Sequence, residues 1–160
     1  MIWPALIKTI GLCLVSIIIE AISATKEGKK WFEGLKRPKY SFSLSVWYVV
    51  GAIYYIIFGI VGYRQFSIGK SFTSASILLL ITVMLLNGLS NFIIFKYRSI
   101  KWFYLLMYPF GLILLALIIM LWKDNDKISA DLASLYFLWL FYDLYYGYNL
   151  WKLNEKNKLK

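Results

Sequence analysis

Five stretches of the chain are almost wholly apolar, at roughly 4–24, 43–64, 72–95, 100–122 and 130–152. Each holds about 20 residues, the length an α-helix needs to cross ~30 Å of hydrocarbon. The pieces between them, "TKEGKKWFEGLKRPKYS", "RQFSIGKS", "KYRSI" and "KDNDKIS", carry the charges and the turn formers. Loops after the first are short, so neighbouring helices should run antiparallel. The pattern predicts an all-α fold, an integral membrane bundle of five transmembrane helices. It forms one domain over residues 1–160, and no internal repeat is evident.

The first run admits a second reading. "LCLVSIIIEAIS" has the length of a signal-peptide core, and Ala21 and Ser23 are spaced like a cleavage site. A signal peptide, however, begins with basic residues and keeps its core uncharged. Here the early basic residue is Lys8, and Glu20 falls just before the would-be site. A retained span is the expectation.

Composition sharpens the membrane assignment. Hydrophobic residues make up 61% of the chain and the mean hydropathy is +0.65, too apolar for a soluble domain of this size to bury. The formal net charge of +10 does not indicate nucleic acid, because the basic residues sit in short clusters between apolar runs, as juxtamembrane loops do. The lone cysteine, Cys13, has no intrachain partner. The chain has no histidine, which excludes a His-ligated metal, a His general base and a His-ligated haem.

Lys and Arg also give an orientation. Thirteen fall on one side: Lys26, Lys29, Lys30, Lys36, Arg37 and Lys39 in the first loop, Lys96, Arg98 and Lys101 in the third, and Lys152, Lys156, Lys158 and Lys160 at the C-terminal end. Five fall on the other: Lys8, Arg64, Lys70, Lys123 and Lys127. The positive-inside rule then places the N-terminus outside and the C-terminus in the cytoplasm.

Polar residues inside the runs are the candidates for chemistry. Asp143 sits well inside the fifth run, in "YFLWLFYDLYYGYNLW". A mid-span Asp costs ~2.5–3.5 kcal/mol on insertion scales, so it should face the bundle interior. Helical spacing puts Tyr136, Trp139, Asp143 and Tyr146 on one stripe. Asp143 either pins two helices together or contacts a ligand or proton in a cavity. Asn87 and Asn91, one turn apart with Ser90 beside them, either glue helices or line a pocket. Glu20, near its span end, should reach water or a basic loop residue.

Seven Trp and thirteen Tyr help raise the aromatic share to 19%. Trp3, Trp102, Trp122 and Trp151 lie near span ends, where interfacial belts form. Trp47 and Trp139 are less easily placed in such belts, and with the tyrosines they suit a flat aromatic pocket.

These residues fall in an order that resembles the TspO/MBR family, also called translocator protein or tryptophan-rich sensory protein. The family's W-[YF]-x-x-L-x-[KR]-P loop is matched by Trp31-Phe32-Glu33-Gly34-Leu35-Lys36-Arg37-Pro38. Val46-Trp47 with Tyr54, Leu86-Asn87, Ile94-Phe95, Tyr136 with Trp139, and the closing Trp151-Lys152-Leu153-Asn154 follow in family order. Each motif alone is loose, and their order and spacing are what is specific. The chain departs from the family at five places: Phe42-Ser43 replaces a Pro-Pro pair, Ser90 a tryptophan, Leu135 a proline, Asp143 a small residue and Tyr146-Gly147 a Leu-Asn.

The resemblance implies a five-helix bundle, often a homodimer, with a cavity opening toward the first-loop side. Its ligands would be tetrapyrroles such as porphyrin, or sterols. Trp31, Phe32, Trp47, Asn87, Asn91, Trp139 and Asp143 would line the cavity, and Tyr136 and Tyr146 join them through the Asp143 stripe. No resident cofactor and no catalytic residue are expected, and without histidine a porphyrin would be held metal-free by stacking and hydrogen bonds. Leu144, Tyr148 and Lys152 also fit a loose sterol-contact pattern. The alternatives are a proton- or cation-coupled transporter using Asp143, a photo-oxidative enzyme degrading porphyrins, and a purely structural subunit. The first loop, with an apolar underside at Trp31 and Phe32, is expected to act as a lid, looser than usual because the Pro-Pro pair is missing.

Overall fold

The computed structural model describes residues 2–155, which are helical almost throughout. Six α-helices follow one another: α1 (Ile2–Ser23), α2 (Lys26–Glu33), α3 (Leu44–Ser67), α4 (Ala75–Asn91), α5 (Ile100–Lys123) and α6 (Lys127–Glu155). No strand occurs among the described residues. Lys156, Lys158 and Lys160, counted above for orientation, lie outside them.

Four of the five apolar runs, Trp3–Ser23, Ser45–Ser67, Ala75–Lys96 and Ile100–Lys123, form helices long and apolar enough to cross a membrane. The fifth run forms α6, the longest helix at 29 residues, yet it is not among those four. Its tyrosines, Asp131 and Asp143 dilute the hydropathy of its Leu and Phe residues. The sixth helix, α2, arises inside the first loop. Thr25 caps it, accepting the Gly28 N–H on its hydroxyl at 3.0 Å, and Glu27 sits in its first turn, where a negative charge complements the helix dipole.

The five long helices close a ring: α1 packs on α3 and α4, α4 on α5, α5 on α6, and α6 back on α3. α1 shows the polarity expected in lipid. Its buried positions are the small Ala5, Thr9, Ser16 and Ser23, while Ile7, Ile10, Leu14, Ile18 and Ile22 face outward. Small residues let helices approach where no hydrophobic force drives them together. The hydroxyls are satisfied on carbonyls, Thr9 on Ala5 at 2.8 Å, Ser23 on Ile19 at 2.6 Å and Ser16 across to Met84 at 3.2 Å. Trp3, Trp102 and Trp122 are exposed at helix ends, and Trp151 stacks on Tyr104 with the Lys152 ammonium 4.3 Å from its ring centre.

Half of the ring is solid. Phe58, Val61, Ile77, Leu80, Leu114, Leu117, Leu121, Ala130 and Ala133 form a continuous core there. A polar clamp closes its end. Asp126, 3% exposed, accepts from Arg64 at 2.8 Å, from Gln65 Nε2 at 3.0 Å and from Ser129 Oγ at 2.6 Å. It also caps α6 through the Ser129 N–H at 3.3 Å. Lys70 pairs with Asp124 alongside. Burial pushes the Asp126 carboxyl pKa up, but the hydrogen bonds from Ser129, Arg64 and Gln65 outweigh it and hold the group below the ordinary aspartate range.

Candidate functional site

The other half of the ring does not close. A cavity of about 480 Å³ lies between all five long helices and is covered by α2, within the size range of small-molecule pockets. From α6, positions 136, 139, 143 and 146 point inward as one stripe, because steps of three and four residues stay on one helix face. Tyr136, Trp139, Asp143 and Tyr146 accordingly all line the cavity. α3 adds Trp47, Tyr54 and Tyr55, and α5 adds Phe103, Met107 and Phe110.

The aromatic rings support one another. Trp47 meets Trp139 edge-on at 5.9 Å between centres and lies 4.9 Å from Tyr146. Deeper in, Tyr136 packs edge-on against Tyr54 at 5.0 Å and Phe58 at 5.4 Å. Such pairs hold the walls in place before any ligand arrives.

Polar groups interrupt these walls at three places. Asp143 is 8% exposed, and among the described residues its Oδ1 and the indole Nε1 of Trp139 have no hydrogen-bond partner. Glu20, expected to reach water or a basic loop residue, instead accepts a hydrogen bond from Asn87 Nδ2, joining α1 to α4. It is half-buried at the cavity wall. The third place is the α4 carbonyl of Asn87. Ser90 Oγ donates to it at 2.7 Å and Asn91 Nδ2 at 3.2 Å. Side chains that occupy a backbone acceptor compete with the helical ladder, and immediately afterwards α4 widens into a π-helical stretch, Phe92–Lys96. The asparagine pair thus combines both readings. Asn87 glues helices, Asn91 bonds within its own helix, and both face the cavity.

The cover is anchored at several points. Gly28 lies against the Phe95 carbonyl, so any Cβ there would collide with backbone, and Phe32 meets Phe95 edge-on at 5.5 Å. Beyond α2, Asn154 grips Lys36 at two points, accepting its N–H at 3.1 Å and donating to its carbonyl at 3.0 Å. The first-loop motif and the closing Leu-Asn motif therefore meet in space. Pro38 is buried. Tyr142 Oη donates to the Tyr40 carbonyl at 2.9 Å and accepts the Phe42 N–H at 3.2 Å, and the Phe42 ring stacks on Trp139 at 5.9 Å. A proline at 42 has no N–H to give, so where the family carries its first proline this chain substitutes a hydrogen bond and a stacked ring.

Of the nine residues expected at the site, Phe32, Trp47, Asn87, Asn91, Tyr136, Trp139, Asp143 and Tyr146 line the cavity. Trp31 does not. It packs with Ile94, Ile100 and Leu150 in a separate cluster that seats α2 on the helix ends, because on an amphipathic helix neighbouring residues point about 100° apart. Six further polar residues were missed as a group facing one space: Glu20, Lys29, Tyr48, Tyr54, Tyr55 and Ser90. Glu20 carried the clearest signal, as an acid inside an apolar run. Tyr148 and Lys152 of the sterol-contact pattern face outward, while Leu144 packs inward.

A sequence model of the TspO/MBR family matches residues 9–152, nearly the whole chain. Among curated proteins, none matches it.

Proposed function

The chain belongs to the TspO/MBR family and is an integral membrane protein, and from that premise we propose that it is a receptor or carrier for flat, hydrophobic, aromatic ligands of the tetrapyrrole or sterol kind. The observation that carries this reading is the cavity of about 480 Å³, whose walls are Trp47, Trp139, Tyr136 and Tyr146. Flat faces of this kind bind ring systems by stacking and by excluding water. Residues 1–160 act as one domain of five membrane spans, α6 serving as the fifth inside the ring. The N-terminus lies outside and the cavity end with the C-terminus faces the cytoplasm, following the basic residues. The partners are the ligand and the surrounding lipid, and a second copy of the chain in a homodimer.

Titration of purified protein with protoporphyrin tests the reading. Tryptophan fluorescence should be quenched saturably, and Trp47→Ala and Trp139→Ala should each weaken binding by about tenfold, as loss of a stacking wall does. Absence of quenching, or quenching that both variants leave unaltered, would sink it. Asp143 favours a second reading, a proton- or cation-coupled transporter with that carboxyl as its carrier group. Flux into proteoliposomes that depends on pH and vanishes in Asp143→Asn would establish it over the first.

A further inference from the structure

The chain treats its buried acids unequally. Asp126 has both oxygens bonded, by Arg64, Gln65 and Ser129. Asp143 is just as enclosed and has the Trp139 indole N–H for a neighbour, yet among the described residues neither that N–H nor the carboxyl Oδ1 completes a hydrogen bond, and the carboxyl lines the cavity. A buried carboxyl oxygen without a partner is costly. Asp124 Oδ2 is another, but that carboxyl is ion-paired with Lys70 through its other oxygen, whereas the Asp143 oxygen is left open beside the cavity. One turn away on the same face, the Trp139 indole lies edge-on to Trp47. Electron-rich ring faces attract cations. A second acid, Glu20, lines the opposite side, and the cationic residue of the lining, Lys29, is on the covering helix α2. A protonated nitrogen placed beside Asp143 would meet an unpartnered carboxyl oxygen and aromatic faces together.

We propose that Asp143 is the recognition group for a flat aromatic ligand bearing a protonated nitrogen, whose N–H donates to Asp143 Oδ1 while its rings lie against Trp47 and Trp139. This rests on the reading of the cavity as a site for flat aromatic ligands, and it narrows that class to cations.

The test uses the full chain in nanodiscs of zwitterionic lipid, with two probes of equal shape. Aminoacridine is a cation at neutral pH and acridine is uncharged; protoporphyrin forms a third arm. The wild type should bind aminoacridine at least about tenfold more tightly than acridine, and Asp143→Asn should abolish that preference while changing acridine affinity by less than about twofold. Asp131→Asn, at an exposed acid of α6 outside the cavity lining, should keep the preference. Equal affinity of the wild type for the two acridines overturns the proposal, whatever the variants do. So does a preference that survives in Asp143→Asn. If protoporphyrin binds while the acridines do not differ, the cation proposal falls and the broader reading stands. If none of the three quenches tryptophan fluorescence, both fall.

Discussion

The two ends of the ring place polar groups in opposite roles. At the solid end, Asp126 gathers Arg64, Gln65 and Ser129 and caps α6, so the polar atoms fasten elements together. At the open end, Asp143 lines a cavity with an oxygen that among the described residues has no partner. Burial is nearly the same, 3% and 8% exposed, so burial does not separate the two. What separates them is whether neighbouring elements bring complementary atoms within reach. A satisfied buried acid stabilises its surroundings, and an unsatisfied one is retained at a cost that function must explain.

The largest expected effect breaks the solid end. Asp126→Ala strands Arg64 and Gln65 and removes the α6 cap, and should cost about 3 kcal/mol. Thermal unfolding in detergent, followed by tryptophan fluorescence, measures it, and an unchanged midpoint would show that the clamp does not hold the ring. The corresponding change at the open end should have the opposite sign. Asp143→Leu replaces an unsatisfied carboxyl by an apolar side chain and should stabilise the fold by about 1–2 kcal/mol. A destabilised Asp143→Leu would mean the acid is structural after all.

A smaller effect concerns the cover. Asn154→Ala removes both bonds to the Lys36 backbone, a loss of about 1 kcal/mol felt locally. Amides of residues 34–42 should exchange faster with solvent while those of the ring keep their protection; unchanged exchange would mean that Tyr142 alone holds the loop. The mildest change needs no large lesion. Because the Asp126 pKa is depressed in the fold, its contribution is complete above the ordinary aspartate value of about 4 and is lost as pH falls through the lower folded value. Asp126→Asn should therefore flatten the acid limb of the melting-temperature profile, and an identical limb in the variant would assign acid sensitivity elsewhere.

Much of the bundle was legible in the chain because a membrane span is a local property. Twenty apolar residues make a helix whatever surrounds them, and four of the five runs are such helices. α6 was read as a fifth span, but its tyrosines and aspartates lower its hydropathy and it is not among those four. α2 was missed because eight residues with Thr25 as cap look like loop until Gly28 is seen against the Phe95 carbonyl. At the site, the α6 stripe followed from helical spacing alone, which explains why Tyr136, Trp139, Asp143 and Tyr146 all arrive in one cavity. Trp31 failed because its helix turns it aside, and the Glu20–Asn87 bond joins residues far apart in sequence.

The sequence by itself determined the solvent, four long apolar helices, the inward stripe of α6 and, through the order of its motifs, the family. The helices and the stripe follow from hydropathy and periodicity, which act over one or two turns. Only the tertiary structure decided which acid is satisfied and which is left open, that Lys36 meets Asn154, and that a hydrogen bond from Phe42 stands in for a proline. Those outcomes depend on distances between helices, and no window along the chain contains them.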